Sequence, residues 1–364
     1  MSRTIRPSEL KAILHHVTKI KQPAFIWGGP GIGKSDVVSQ VAAEQGRPVI
    51  DIRLALMDPT DIRGMPYADS EGNGMKWSPP SELPKAGTPT ENAILFLDEM
   101  NSAPPSVQAA AYQLVLNRRI GEYELPEGVS IVAAGNRETD KGVTYRMPAP
   151  LANRFLHFNI ESNFEDWQKW AILNEVHPDV VGFLSSNHGN LYKFDPKSPD
   201  KSFATPRSWE FVSRVIDDSA SLSEKLVGVL VAGGVGEGMA TEFMQHRRVA
   251  AKMPKPEDVL SGKVTKLEVK EISAKYSLAV GLCYLLKEVS ERANDPTDKE
   301  MTSDRYHEMF DNFFRFIMDN FEVEMVVLAA MTALSTYELK FSMQKLKTIQ
   351  EFHKKYASYI IDER

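Results

Sequence analysis

The stretch Gly28-Gly29-Pro30-Gly31-Ile32-Gly33-Lys34-Ser35 decides how this chain reads. It fits G-x-x-x-x-G-K-[ST] at every fixed position, the pattern of a loop that wraps phosphate groups. Glycines let the backbone bend around an anion so that its N–H groups point inward. A helix starting directly after the loop adds the positive end of its dipole. Lys34 is placed to reach β- and γ-phosphates, and the Ser35 hydroxyl to bind Mg²⁺. The flanks agree: Ala24-Phe25-Ile26-Trp27 reads as a buried strand entering the loop, and Ser35 to about residue 44 as the helix leaving it. A glycine-rich turn arising by chance has no reason to sit between a strand and a helix. The reading is a nucleotide site built on Gly28, Gly29, Pro30, Gly31, Ile32, Gly33, Lys34 and Ser35.

Outward from the loop, four more short apolar runs follow, at 48–52, 93–97, 129–134 and 155–160. Nearly continuous apolar strands separated by helical stretches indicate a parallel sheet covered on both faces. Residues 106–119 form the clearest intervening helix, with Val107, Ala110, Ala111, Leu114 and Val115 on one side. A helix over 8–19, with Ser8 as its cap, precedes the first strand. Between Asp58 and Leu83 the chain becomes rich in Pro, Gly and Asp. Met65-Pro66-Tyr67-Ala68 and Met75-Lys76-Trp77-Ser78 flank the polar turn Asp69-Ser70-Glu71-Gly72-Asn73-Gly74, which reads as a hairpin. A second candidate hairpin spans 121–128. Tyr67, Trp77 and Tyr123 look exposed on these hairpins, though such rings also pack on their own sheet.

From Asn163 the pattern turns helical. A polar, Pro-containing loop is expected over 193–203 and helices over 209–216 and 223–231. A boundary falls at 251–256, and amphipathic helices are expected at 272–291, 304–320, 323–334 and 341–359. This divides the chain into 1–162, an α/β domain with an inserted hairpin at about 58–83; 163–250, a small helical domain; and 251–364, a C-terminal helical extension.

Composition sets outer limits. The 364 residues suffice for two or three domains. At 42% hydrophobic and 25% charged, the chain is an ordinary globular protein. A net charge of −6 gives no global argument for nucleic acid, although a local basic patch is compatible with it. The single cysteine, Cys283, forbids an intrachain disulfide and favours a reducing, cytoplasmic compartment. It lies in an apolar run and reads as a buried core thiol. The N-terminus has no signal-peptide core. No apolar run approaches the length that spans a bilayer, so no membrane is expected.

A phosphate loop alone gives binding, not turnover. The run Ala93-Ile94-Leu95-Phe96-Leu97-Asp98-Glu99 delivers two carboxylates to the carboxyl edge of the sheet, beside the loop. Asp98 suits the hydration shell of Mg²⁺, and Glu99 suits the attacking water. Ile131-Val132-Ala133-Ala134-Gly135-Asn136 is again a buried strand ending in one polar side chain. Asn136 can bond a γ-phosphate or the water; alone it would pass for a turn residue. In Leu151-Ala152-Asn153-Arg154-Phe155, an arginine before a strand calls for an anionic partner. A surface ion pair is the bland option, and the γ-phosphate held by a neighbouring subunit the sharp one. In Ala204-Thr205-Pro206-Arg207-Ser208, Pro206 starts a helix and Arg207 sits in its first turn. Cations are not favoured there, so a strong anion such as a nucleotide phosphate should account for it.

In this order and spacing, these segments resemble an AAA+ ATPase. Asp58-Pro59-Thr60-Asp61-Ile62-Arg63-Gly64 with the hairpin after it, and Asn101-Ser102-Ala103-Pro104-Pro105-Ser106-Val107-Gln108-Ala109-Ala110, resemble its MoxR branch. The resemblance covers about residues 5–250. It implies a P-loop α/β core with a five-stranded parallel sheet ordered 5-1-4-3-2, a small helical lid and a hexameric ring. It implies Lys34 as the Walker A lysine, Ser35 and Asp98 at Mg²⁺, and Glu99 as the catalytic glutamate. It further implies Asn136 as sensor 1, Arg154 as the arginine finger and Arg207 as sensor 2, with Arg137 and Arg146 as further arginines near the interface. Adenine rather than guanine, and a chaperone-like role on a partner that often carries a von Willebrand factor A domain, also rest on the resemblance. Residues 255–364 match no motif.

Rival readings share the loop. A metal-chelatase motor subunit would carry every motif, and a nucleotide-gated scaffold would bind without turnover, against which the intact Glu99 argues. A nucleic-acid translocase would need basic hairpins. Here the second carries Glu122, Glu124 and Glu127, and the first Asp69 and Glu71 against Lys76.

Overall fold

A computed structural model describes residues 3–70, 74–140, 145–295, 297–298, 300–342, 346 and 348–361. Glu71, Gly72 and Asn73, in the expected hairpin turn, lie outside the described residues, as do 343–345 and 347 in the last expected helix. The chain forms two compact units. One comprises the chain up to Asp166 with Phe194–Pro199 and Thr205–Arg207; the other comprises Trp167–Lys193, Asp200–Ala204 and the chain from Ser208 onward.

The first unit contains strands β1 (Thr4–Ile5), β2 (Ala24–Trp27), β3 (Val49–Arg53), β4 (Met65–Ala68), β5 (Met75–Ser78), β6 (Ile94–Asp98), β7 (Arg119–Ile120), β8 (Tyr123–Glu124), β9 (Ser130–Gly135) and β10 (Leu156–Ile160). Its helices are α1 (Pro7–Lys19), α2 (Lys34–Glu44), α3 (Pro59–Arg63), α4 (Pro105–Asn117) and α5 (Ala149–Ala152), and α6 (Phe164–Leu173) begins in it. Six strands form one sheet in the order β1-β10-β2-β9-β6-β3, every neighbouring pair parallel. The five strands expected from the apolar runs therefore stand in the order 5-1-4-3-2, and the sheet has six strands rather than five. The additional one, β1, pairs only Thr4 with Asn159 and Ile5 with Ile160, too short to leave a hydrophobic pattern.

Both faces of the central strands are covered. Ala24, Phe25 and Ile26 of β2 are fully buried, and every residue of β9 is buried. One face packs Phe25, Leu95 and Leu97 with Val107 and Leu114 of α4. Register then aligns the strand ends. Trp27 stands opposite Gly135, Leu97 opposite Ala133 and Arg53 opposite Asp98. Gly28, Asn136 and Asp98 consequently leave the sheet at one edge, where open α/β sheets hold their ligands.

Two local expectations change. α1 begins at Pro7, and its cap is Arg6, whose backbone N–H donates to Glu9 Oε2 at 3.0 Å. Proline lacks an N–H and fits the first helical position, so the helix starts before Ser8. The Ser8 N–H donates instead to Asp166 Oδ2 at 2.7 Å. Both hairpins form, as the antiparallel pairs β4–β5 and β7–β8. Their rings differ: Tyr67 is exposed, and Trp77 is half-buried with the Arg63 guanidinium 4.1 Å from its ring centre. Tyr123 is buried, contrary to its exposed look, because its hydroxyl donates to the Pro84 carbonyl at 2.6 Å.

The second unit is helical. It holds the remainder of α6 and helices α7 (Pro178–Ser186), α8 (Pro206–Asp217, from Ser208), α9 (Glu224–Val235), α10 (Glu237–Ala250), α11 (Pro256–Leu260), α12 (Ile272–Asn294), α13 (Ser303–Asn320), α14 (Val323–Met331) and α15 (Thr348–Ile361). α12 packs along α7, so helices before and after residue 250 share one unit. Tyr306, Phe310, Phe313 and Phe314 on α13 and Phe352 on α15 lie in one buried cluster with Cys283, whose thiol is fully enclosed. α14 ends at Met331 in a π-helical turn, Thr332–Thr336, rather than running to 334. The last helix starts at Thr348 rather than 341; Asp311 Oδ1 accepts the Thr348 N–H at 2.9 Å and fixes that start. Among the described residues, no helix is long and apolar enough to cross a membrane.

Candidate functional site

At the carboxyl edge of the sheet an open pocket holds about 470 Å³ of empty space. Pro30, Gly31, Ile32, Gly33, Lys34, Ser35, Asp98, Glu99, Gly135, Asn136 and Arg207 line it. Segments far apart in sequence thus meet at one place. Gly28 and Gly29 lie behind the lining and contribute their carbonyls to Lys34.

The loop needs its glycines for specific reasons. Gly31 and Gly33 have φ of +69° and +90°, a region that side chains rarely adopt. A Cβ on Gly31 would also stand 2.7 Å from Thr205 Oγ1. Gly28 enters the loop with its N–H on the Gly135 carbonyl at 3.2 Å. A Cβ there would be 2.3 Å from Ile32 Cδ1 and 2.6 Å from Ile160 Cγ2. The loop is thereby seated directly on β9 and β10, and α2 begins at Lys34, so that its first residues, Lys34 and Ser35, line the pocket.

Lys34 Nζ donates to the Gly28 carbonyl at 2.8 Å, the Gly29 carbonyl at 2.9 Å and Asn136 Oδ1 at 3.2 Å. Burial pushes its pKa down to about 8, against the opposing pull of Asp98 and Asp140. The ammonium is poised to regain charge stabilisation from an anion. Ser35 Oγ donates to Asp98 Oδ2 at 3.3 Å, and Asp98 Oδ1 accepts the Glu99 N–H at 2.8 Å. Glu99 is exposed and has φ of +53°, so the chain turns sharply as it leaves β6. One hydroxyl and one carboxylate are hard oxygen donors. No group of three or more His, Cys, Asp or Glu side chains able to hold a metal occurs among the described residues. Such a sparse donor set fits Mg²⁺, which keeps several waters and takes the rest from phosphate oxygens. Ser35 and Asp98 would hold it.

Arg207 enters the pocket from the first turn of α8, its N–H donating to the Gly31 carbonyl at 3.3 Å. Arg154 does not line the pocket; it is exposed just before β10. Arg146 is also exposed, whereas Arg137 is tied to its own chain through Nη2 and the Ile160 carbonyl at 2.6 Å. Gly135, which lines the pocket, and Asn101, buried behind it, have no separate role in the sequence reading. Gly135 appeared only as part of a strand, and Asn101 only within a branch-like segment. The spacing Asp-Glu-x-Asn was the available signal for Asn101, whose side-chain amide donates to the Asn136 carbonyl at 2.7 Å.

Residues 23–155, the stretch that carries Lys34, Ser35, Asp98, Glu99 and Asn136, match the family model of the AAA domain (dynein-related subfamily). A midasin from Giardia intestinalis is 28% identical over 177 residues. That match spans 46% of this chain and 4% of the midasin. Among solved structures, a mutant of Thermotoga maritima RuvB aligns with a TM-score of 0.40 and 14% identity, covering 66% of this chain and 68% of that one. NtrX from Brucella abortus in complex with ATP aligns with a TM-score of 0.40 and 13% identity, covering 92% and 69%.

Proposed function

We propose that the chain is an ATP-hydrolysing ring ATPase of the MoxR type that remodels or activates a partner protein. The observation that carries this reading is the meeting of Lys34, Ser35, Asp98, Glu99, Asn136 and Arg207 around one pocket. A phosphate loop explains only the first two. The four others add a carboxylate for the cation, a carboxylate for water, an amide and a guanidinium, the set that phosphoryl transfer to water requires.

The roles follow from position. Loop N–H groups and Lys34 hold the triphosphate. Bound Mg²⁺ would supply charge neutralisation at the phosphates. Glu99 orients the attacking water and takes its proton. The water oxygen bonds the γ-phosphorus as its bond to the bridging oxygen breaks, giving ADP and phosphate. Asn136 bonds the γ-phosphate or the water, and Arg207 faces the phosphate charge. Arg154 lies outside its own pocket, which supports its assignment to the pocket of a neighbouring copy, in a ring of six by resemblance. A partner with a von Willebrand factor A domain and a cytoplasmic setting complete the reading.

Glu99→Gln tests it most directly. ATP affinity should stay within a few-fold while turnover falls by about a hundredfold or more, the usual range for a lost base. Wild-type turnover would remove Glu99 from the mechanism. Arg154→Ala should likewise bind and fail to turn over, and mixing it with Lys34→Ala subunits should restore activity, since one shared interface would then keep both groups. No recovery at any mixing ratio would place Arg154 outside the neighbour's site. Retrieval of proteins bound to the ATP-loaded Glu99→Gln form would identify the partner.

A further inference from the structure

The geometry points to Asn101 as a positioning residue that ties the catalytic carboxylate segment to Asn136. This rests on the hydrolytic reading of the pocket and adds a residue to it. Asn101 does not line the pocket and is 1% exposed. It sits two residues after Glu99, in the short turn Met100–Ser102 that the Glu99 carbonyl closes by accepting the Ser102 N–H at 2.9 Å. From there its side-chain amide crosses to the end of β9 and donates to the Asn136 carbonyl at 2.7 Å. Asn136 in turn accepts from Lys34 through Oδ1. Glu99, Asn101, Asn136 and Lys34 form one connected path, of which only the buried member is without contact to the pocket.

Two further observations separate this from ordinary core filling. Asn101 Oδ1 is buried with no hydrogen-bond partner among the described residues. An unpaired buried carbonyl is costly, so a packing role alone would be better served by an apolar residue of similar size. Second, Gly135 lies directly against this amide: a Cβ there would be 2.2 Å from Asn101 Oδ1 and 2.9 Å from Cγ. Absence of a side chain at 135 lets the amide approach the strand end closely enough to hold the Asn136 carbonyl. The separation of Glu99 from Asn136 is therefore set by a short bond inside the protein. Contact of Asn136 with a γ-phosphate is transmitted to the turn carrying Glu99, and loss of that contact releases it.

The test is a double-mutant cycle on the full chain, with Asn101→Asp and Asn136→Ala, singly and combined. Asn101→Asp keeps the side-chain volume and replaces the donor by an acceptor facing a carbonyl. Turnover, KM for ATP, and affinities for ADP and for a non-hydrolysable ATP analogue are measured for each protein. The expected result is a kcat loss of about ten- to a hundredfold for Asn101→Asp, the cost of a small misplacement of reacting groups. KM should change less than threefold, the preference for the ATP analogue over ADP should be lost, and the double variant should be no worse than Asn136→Ala alone. Multiplying losses, an unchanged kcat, or equal weakening of both nucleotides would overturn the assignment, the last marking a merely structural role. Should Asn101→Asp not fold, Gly135→Ala presses on the same amide and must give the same split. Wild-type protein that binds no nucleotide would remove the hydrolytic reading and this inference together. Wild-type turnover with multiplying losses would remove only the inference.

Discussion

The sheet edge of the first unit and the aromatic core of the second are both dense in side-chain contacts, yet they are specified in opposite ways. At the edge, individual atoms matter: Gly31 must be glycine because its backbone is left-handed and Thr205 leaves no space for a Cβ. In the core around α13, position matters less than volume and apolarity. Tyr306, Phe310, Phe313, Phe314 and Phe352 are all buried rings within one cluster, with centres 5.4 Å apart for Phe310–Phe314 and 5.1 Å for Phe314–Phe352. Chemistry at a site demands residue types at fixed spacings, whereas a core accepts any set that fills space. A recognisable motif therefore marks the first region, and only helical periodicity marks the second.

The contrast can be broken from the core side, where the largest stability effect is expected. Phe310 is fully buried against Tyr306, Phe313, Phe314 and Phe341. Phe310→Ala should destabilise the helical unit by about 3–5 kcal/mol, the range for losing a buried ring and leaving its cavity. Phe310→Leu should cost far less. Denaturant unfolding monitored by far-UV circular dichroism measures both, and nucleotide affinity of the folded fraction should stay at the wild-type value. Lost affinity in fully folded Phe310→Leu protein would show that the two regions are not independent.

The same contrast explains what the sequence made legible. The 28–35 loop, Asp98, Glu99, Asn136 and Arg207 could be read because each is a polar or glycine exception in an apolar or strand–helix context, and the structure gathers them at one edge. The apolar runs marked five strands and the family resemblance implied their order, which the sheet shows; β1 was missed, since two residues carry no periodicity. Asn101 was not singled out: the spacing Asp-Glu-x-Asn marks its position, but its significance lies in one buried bond to a carbonyl. Tyr123 misled for a related reason: a hairpin sequence does not tell whether a carbonyl such as that of Pro84 waits for the hydroxyl. α10 is absent from the expected helices because Gly236, Gly238 and the run His246-Arg247-Arg248 obscure its buried Met239, Phe243 and Met244.

On the site side, pH sharpens the comparison. Burial holds Lys34 at about 8. A triphosphate beside it favours the charged form and raises that value, so binding takes up a proton only where free Lys34 has lost one. ATP affinity should therefore be flat between about pH 6.5 and 7.5 and weaken by about tenfold per unit above pH 8, by proton linkage. Lys34→Arg, which cannot lose its proton, should flatten the profile whatever its absolute affinity. Calorimetric titrations across this range in Mg²⁺ buffers measure both curves. A wild-type profile flat to pH 9.5 would show that Lys34 keeps its charge despite burial.

The smallest expected effect separates site from scaffold inside one unit. Tyr123 belongs to the sheet unit but touches none of the pocket, and its hydroxyl is committed to the Pro84 carbonyl. Burial raises its pKa well beyond the ordinary tyrosine range, so it stays protonated and donating throughout the working pH range. Tyr123→Phe removes the donor, keeps the ring and leaves the carbonyl unpaired, a loss of about 1–2 kcal/mol. In a unit of this size that corresponds to a Tm lower by about 2–4 °C per kcal/mol. The matching change on the other hairpin, Tyr67→Phe, removes an exposed hydroxyl and should stay within about 0.5 kcal/mol of wild type. Calorimetric melts of the two variants, with turnover measured in parallel, test the pair. Turnover should be unchanged in Tyr123→Phe at temperatures well below its melt, because the bond braces the hairpin against residues 83–85 and not against the phosphate loop. An equal Tm for the two variants would mean that the Tyr123 bond contributes nothing beyond what water gives Tyr67.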